Sequence, residues 1–114
     1  MQPPMIDWDR VAALRDEVGP EDFEEIVDLF LDEVDEEIAT LSNHQNGAQL
    51  AEKLHFLKGS ALNLGFTDFS LLCHCGEVEL AKNSSSQFDV TALQKSYSAS
   101  RDHFLAHLPA RMTT

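Results

Sequence analysis

His55, Lys58 and Gly59 lie within one turn and a half of each other in the run "HFLKGSALNLG", residues 55 to 65. A free imidazole titrates near pH 6.5, so at neutral pH most of it is uncharged and nucleophilic. A lysine cation beside an imidazole disfavours its protonation and can neutralise an anion held on the ring. Glycine inside a helix costs about 1 kcal/mol relative to alanine, but it removes a side chain and lets a bulky group come close. A nucleophile, a cation and a gap at this spacing suit capture of a phosphoryl group on a ring nitrogen.

Those residues need a helix to hold them, and the whole chain reads as helical. Asp7 is a candidate N-cap for a short helix, "WDRVAALRDEV", which Gly19-Pro20 ends. Pro20 suits the first turn of a long second helix. There Phe23, Ile26, Val27, Phe30, Val34, Ile38 and Leu41 recur at steps of three and four, with acids on the outer side. "SNHQNG" breaks that helix. A third runs from about Ala48 to Leu64, with Gly65 as its C-cap. Thr67 or Asp68 caps a fourth that reaches about Lys82, with Phe69, Leu72, Cys73, Gly76 and Leu80 apolar or small. "NSSSQF" is a loop, and Asp89 or Thr91 opens a fifth helix through about Leu108, with Leu93, Tyr97, Phe104 and Leu108 inward. No segment shows strand alternation. The expected fold is all-α: an antiparallel up-and-down four-helix bundle with the short first helix over one end. Residues 1–5 and 109–114 read as tails around a single domain of residues 6–108.

With His55 set at zero on a wheel of 100° per residue, Leu50, Leu54, Leu57, Ala61 and Leu64 fall between roughly 180° and 260°. Lys58, Gly59 and Leu62 fall near 300°, 40° and 340°, roughly opposite. His55 is therefore expected to be accessible on the flank. If the third and fourth helices turn near Phe66, Glu77 lies as far after the turn as His55 lies before it. Glu77 is then placed to accept a hydrogen bond from Nδ1–H and leave Nε2 free; its other reading is an exposed glutamate paired with Lys58 or with nothing.

Other ligand types are present. "CHC" at 73 to 75 and the i, i+4 pair His103/His107 could suggest a metal site, but C-x-C in mid-helix splays its thiols and no third ligand converges on the histidines. No metal is expected. The net charge is −12, and fourteen of the twenty acids fall between Asp7 and Glu37. That argues against nucleic acid and anionic membrane as partners, and reads as a solvated acidic helix face or a surface that repels wrong partners. The start of the chain lacks a basic, apolar leader, and no run approaches the roughly 20 apolar residues of a membrane span. Two cysteines two apart cannot pair within a helix. A reduced, cytoplasmic setting is expected.

The run His55-Phe56-Leu57-Lys58-Gly59-Ser60, with Gly65 six residues after Gly59, resembles the histidine-containing phosphotransfer (HPt) domain family. "FEEIVDLFLDEVDEEIATL" and "FSLLCHCGEVELA" look like the family's second helix and the helix beside its histidine, so the resemblance spans about Ile6 to Leu108. It implies a four-helix bundle that relays a phosphoryl group between the aspartates of receiver domains, without kinase activity of its own. By position, His55 is the phosphoacceptor, Lys58 steadies the phosphoryl group, Gly59 permits approach, and Glu77 matches a position that contacts the imidazole in some members. Phe56, Leu62, Asn63 and Phe66 are candidates for the docking patch, with partial burial the other reading for Leu62 and Phe66. The expected partner is a receiver domain that brings its own divalent metal, so this chain needs no cofactor and acts as a monomer. Leu54, where the family often has alanine, and Gly76, where a larger apolar residue is common, depart from the pattern; Gly76 is expected to loosen packing or alter the helix angle near His55. Two alternatives stand beside this reading: an HPt-like scaffold that binds without phosphorylation, and a dimerisation fragment of a histidine kinase. Against the second, Phe56 follows the histidine where those kinases usually have an acid, and no glycine-rich nucleotide motif follows.

Overall fold

A computed structural model describes residues 5–41, 47–83 and 89–111. These form five helices: α1 (Trp8–Val18), α2 (Pro20–Thr40), α3 (Gly47–Leu64), α4 (Thr67–Lys82) and α5 (Val90–Arg111). Of the expected breaks over 42–47 and 83–88 and the expected tails over 1–5 and 109–114, residues 42–46, 84–88, 1–4 and 112–114 lie outside the described residues, while Gly47 already belongs to α3 and Asn83 is the C-cap of α4.

Local chemistry sets most helix ends. The Asp7 side chain accepts from the Arg10 N–H and starts α1. Gly19, at φ +90, ends α1 by donating to the Arg15 carbonyl and also precedes Pro20 of α2. Of the two candidates for α5, Asp89 is the cap: its carboxylate accepts from the Ala92 N–H at 3.0 Å. That helix runs on to Arg111, with Pro109 in its last turn, so 109–111 are helical and not tail.

The α3–α4 turn is the tightest joint. Phe66 N–H donates to the Ala61 carbonyl and Gly65 N–H to that of Leu62, with Gly65 at φ +76, the paired bonds of a Schellman ending. Thr67 and Asp68 were the expected caps of α4, but the capping position is Phe66 and no side chain caps the helix. The N-terminal segment serves instead. Thr67 N–H donates to the Met5 carbonyl at 3.1 Å, Asp7 N–H donates to the Gly65 carbonyl at 2.7 Å, and Ile6 pairs antiparallel with Phe66. Met5, expected in the tail, is thus bonded into the fold and packs against the core.

The core is one continuous cluster. On α2 Phe23, Val27 and Val34 are buried as expected and Leu31 joins them, while Ile26, Phe30 and Ile38 are half-buried. Leu50, Leu54, Leu57, Ala61 and Leu64 form the buried face of α3. On α4, Phe69, Cys73, Gly76 and Leu80 are buried. Phe66, Tyr97 and Phe104 pack as rings 5.2–6.2 Å apart around the α3–α4 turn, and Trp8 of α1 stacks on Phe104 at 5.7 Å. Contacts join α2 to α3, α3 to α4 and α4 to α5, and α1 lies against α2 and α3. Tyr97 of α5 reaches back to α2, donating to Asp35 at 2.6 Å; burial, with Asp35 adding, pushes its phenol above the ordinary range.

Candidate functional site

The α3 periodicity that buries Leu54 and Leu57 turns His55 outward, and the ring side is 78% exposed. One turn on, Lys58 is drawn to the α4 side and is only 23% exposed. Opposite them on α4, Glu77 is 17% exposed. Its two oxygens are divided between the neighbours: Oε1 lies 2.9 Å from His55 Nδ1, and Oε2 lies 2.6 Å from Lys58 Nζ. The expected mirror position across the turn is thus occupied, and Glu77 holds both His55 and Lys58.

Burial works against ionising Glu77, but the hydrogen bond and charge of Lys58, followed by those of His55, outweigh it and hold the carboxyl below the usual glutamate range. Glu77 is therefore a carboxylate at neutral pH. A carboxylate only accepts hydrogen bonds, so Nδ1 must be the donor. In the neutral ring the lone pair then lies on Nε2, which faces away from Glu77.

Gly59 is exposed, and a Cβ built there meets nothing within 4 Å. The space beside His55 is open. Around it, Phe56, Leu62 and Asn63 are exposed. Phe66 is a correction: it is 1% exposed, locked among Ile6, Tyr97 and Phe104, and offers no surface to a partner. The wheel of α3 does not extend past Gly65, so the turn that sends Phe66 inward was invisible to it. The sequence reading also missed Leu71 and Val78, which are exposed on α4, the helix that carries Glu77. Their signal was available: each breaks the polar pattern expected of an outward helical position.

Cys73 is buried beneath the pair, and burial, with the charge of Glu77 adding, pushes its thiol up to about 12. Cys75 is exposed, so the two thiols point apart. The His103 and His107 rings stack with centroids 4.1 Å apart. Among the described residues no three histidine, cysteine, aspartate or glutamate side chains converge as a metal would need.

A nucleophilic ring nitrogen exposed beside an open glycine, on a helix paired with a carboxylate-bearing helix, meets a matching family model: that of the Hpt domain, over residues 25–111. The chain belongs to the Hpt domain family. The match includes α3, α4 and the whole of the His55 site. No curated protein and no solved structure matches the chain. Among the described residues, no helix is long and apolar enough to cross a membrane.

Proposed function

We propose that this Hpt domain is a phosphoryl carrier in a two-component phosphorelay, with His55 as the residue phosphorylated. The observation that carries the reading is the exposed His55 ring with Nδ1 bound to Glu77 and Nε2 free. The Nε2 lone pair attacks the phosphorus of an aspartyl phosphate on a receiver domain. The N–P bond forms as the P–O bond breaks, and the receiver carboxylate leaves with the electron pair. The Nδ1 proton stays on the ring, which gains positive charge facing the Glu77 carboxylate, a fixed charge already in place as the reaction proceeds. Reversal passes the group to a second receiver.

The chain needs no kinase activity or cofactor for this exchange. The divalent metal and lysine that stabilise the transferring phosphoryl group belong to the receiver. Gly59 leaves room for that partner. Phe56 and Leu62 on α3, with Leu71 and Val78 on α4, supply the apolar ground on which it docks, and the exposed Asn63 adds a polar side chain beside it. The cycle of contacts from α2 through α5 and back to α2 supports an up-and-down four-helix bundle beneath this face, with α1 across the turn end. A monomer working in the cytoplasm, away from nucleic acid and membrane, fits the strongly acidic chain.

The test is transfer from a phosphorylated receiver domain. Label on His55 that is lost in acid and kept in base is the expected result. No label on the wild type, or label on the His55→Gln variant, would overturn the proposal.

A further inference from the structure

His55 is one of five histidines in the chain, and two others meet on α5, His103 and His107. Their rings stack with centroids 4.1 Å apart and planes 29° from parallel. His107 is exposed and His103 half-buried, while Phe104 between them is buried. At 100° per residue the pair lies on the edge of α5 away from Arg101, which reaches α2 through Asp35. Phe104 packs on Phe66, so the pair belongs to the turn end of the bundle. His55 stands eleven residues before Phe66, roughly 16 Å further along α3.

One hydrogen bond readies this pair for a ligand. His107 Nδ1 lies 2.9 Å from the His103 carbonyl oxygen. A carbonyl oxygen only accepts, so Nδ1 carries the proton, and in the neutral ring the Nε2 lone pair is free. Metal-binding histidines commonly have this arrangement, with the other ring N–H given to a carbonyl or a carboxylate. Among the described residues the His103 ring has no hydrogen-bond partner, and the torsion about its Cβ–Cγ bond is soft. Two nitrogens held by one tetrahedral ion at about 2.0–2.1 Å stand about 3.3 Å apart. Rings with centroids 4.1 Å apart reach that spacing with a small turn.

The donors select the ion. Both are imidazoles, and among the described residues no third histidine, cysteine, aspartate or glutamate converges on them. Magnesium and calcium take oxygen ligands and gain nothing here, whereas zinc, nickel and copper bind imidazole well. The net charge of −12 draws cations to the chain. Two imidazoles do not enclose an ion, but they chelate it and leave its other positions to water.

We propose that His103 and His107 form an open, bidentate site for a divalent cation of the zinc class. The hydrated ion exchanges two waters for one nitrogen of each neutral ring, and no proton leaves either imidazole. The clamp spans the turn before Pro109, where the Leu105 carbonyl lacks its helical donor because proline has no N–H. A zinc ion held there fastens the end of α5. The site stands independently of phosphorylation at His55.

The test uses the full chain and the metal alone. Zinc chloride titrated by isothermal calorimetry should lose affinity roughly a hundredfold in His103→Gln and in His107→Gln, the low end of what joining two binding groups gains. Circular dichroism checks that each variant is folded. His74→Gln and Cys75→Ser remove other exposed ligand types and should leave the affinity unchanged. In ¹⁵N nuclear magnetic resonance, one equivalent of zinc should move the ring nitrogens of His103 and His107, and magnesium chloride should leave them in place. The thermal midpoint of the wild type should rise with zinc, and that of His107→Gln should not. Equal zinc affinity in the wild type and both α5 variants overturns the proposal. So does loss of affinity in Cys75→Ser, which would make a thiol the ligand, or magnesium moving the two rings as zinc does.

Discussion

At the scale of single residues, Gly59 and Glu77 are placed for opposite reasons. Gly59 is defined by what is missing: a Cβ there meets nothing within 4 Å. Gly59→Ala should therefore fold normally and gain up to about 1 kcal/mol in urea unfolding, the difference in helix propensity. Gly59→Trp should keep the helix yet block transfer from a receiver, while phosphoramidate still labels His55. Loss of labelling by both donors would show that the bulk disturbs the ring and not the approach. Glu77 is defined by its neighbours, which hold its carboxyl below the ordinary 4.5 of a glutamate. A carboxyl whose pKa is depressed in the folded state stabilises the fold above its unfolded value and loses that contribution as pH falls through the folded one. The pairing should therefore support stability above about pH 4.5 and fade below it. Urea midpoints measured at pH 7 and pH 3 should fall less for Glu77→Gln than for the wild type. An equal fall in both would mean that Glu77 is not linked to folding.

At the scale of elements, the decisive joint is the α3–α4 turn, because it sets which residue of α4 faces His55. Gly65 satisfies two demands there. Its φ of +76 is strained for any other residue, and a Cβ would stand 2.6 Å from the Asp7 carbonyl oxygen. Gly65→Ala should cost at least about 2 kcal/mol, since the left-handed backbone alone costs about 1–3. Gly19 has φ +90 but open space around it, so Gly19→Ala meets only the backbone strain and should be the milder of the two in thermal unfolding. Gly65→Ala should also release the segment Met5–Asp7 from the turn, seen as faster amide exchange at Asp7 and Thr67, the donors of that contact. Slow exchange at both sites in the variant would place the strain elsewhere.

Across the whole molecule, charge and function are separated. Residues 7–41 carry fourteen acids against Arg10 and Arg15, which equals the entire net charge of −12. The segment from 47 to 82, which holds the His55 site, nets −1, and among the described residues four of the six large exposed apolar side chains, Phe56, Leu62, Leu71 and Val78, lie on it. Like charges crowded on α1 and α2 repel one another, and salt screens exposed charges over about 10 Å at 0.1 M. The thermal midpoint should therefore rise as sodium chloride is raised from low ionic strength. A midpoint that falls with salt would mean that attractive pairs, such as Lys53 with Glu37 and Arg10 with Glu17, outweigh the repulsion.

Much of this architecture was written locally. A period near 3.6 told which side of α3 is buried, because Leu50, Leu54, Leu57 and Leu64 share one side of the helix, and so it also told that His55 faces out. Gly19-Pro20 and Gly65 marked turns because few other residues adopt that backbone. The sequence alone likewise singled out His55 with Lys58 and Gly59, and mirror symmetry about the turn reached Glu77. What a wheel cannot supply is the azimuth and depth of the neighbouring helix. That is why the burial of Phe66, which depends on rings from α5 and on Ile6, was decided only by the tertiary structure. The cap of α4 by Met5 depended on it as well, since the donor and acceptor are 62 residues apart in the chain. So did the direction of Lys58: a lysine on the edge of a helix turns to solvent or inward according to where a carboxylate stands, and here Glu77 of α4 stands close enough to take it.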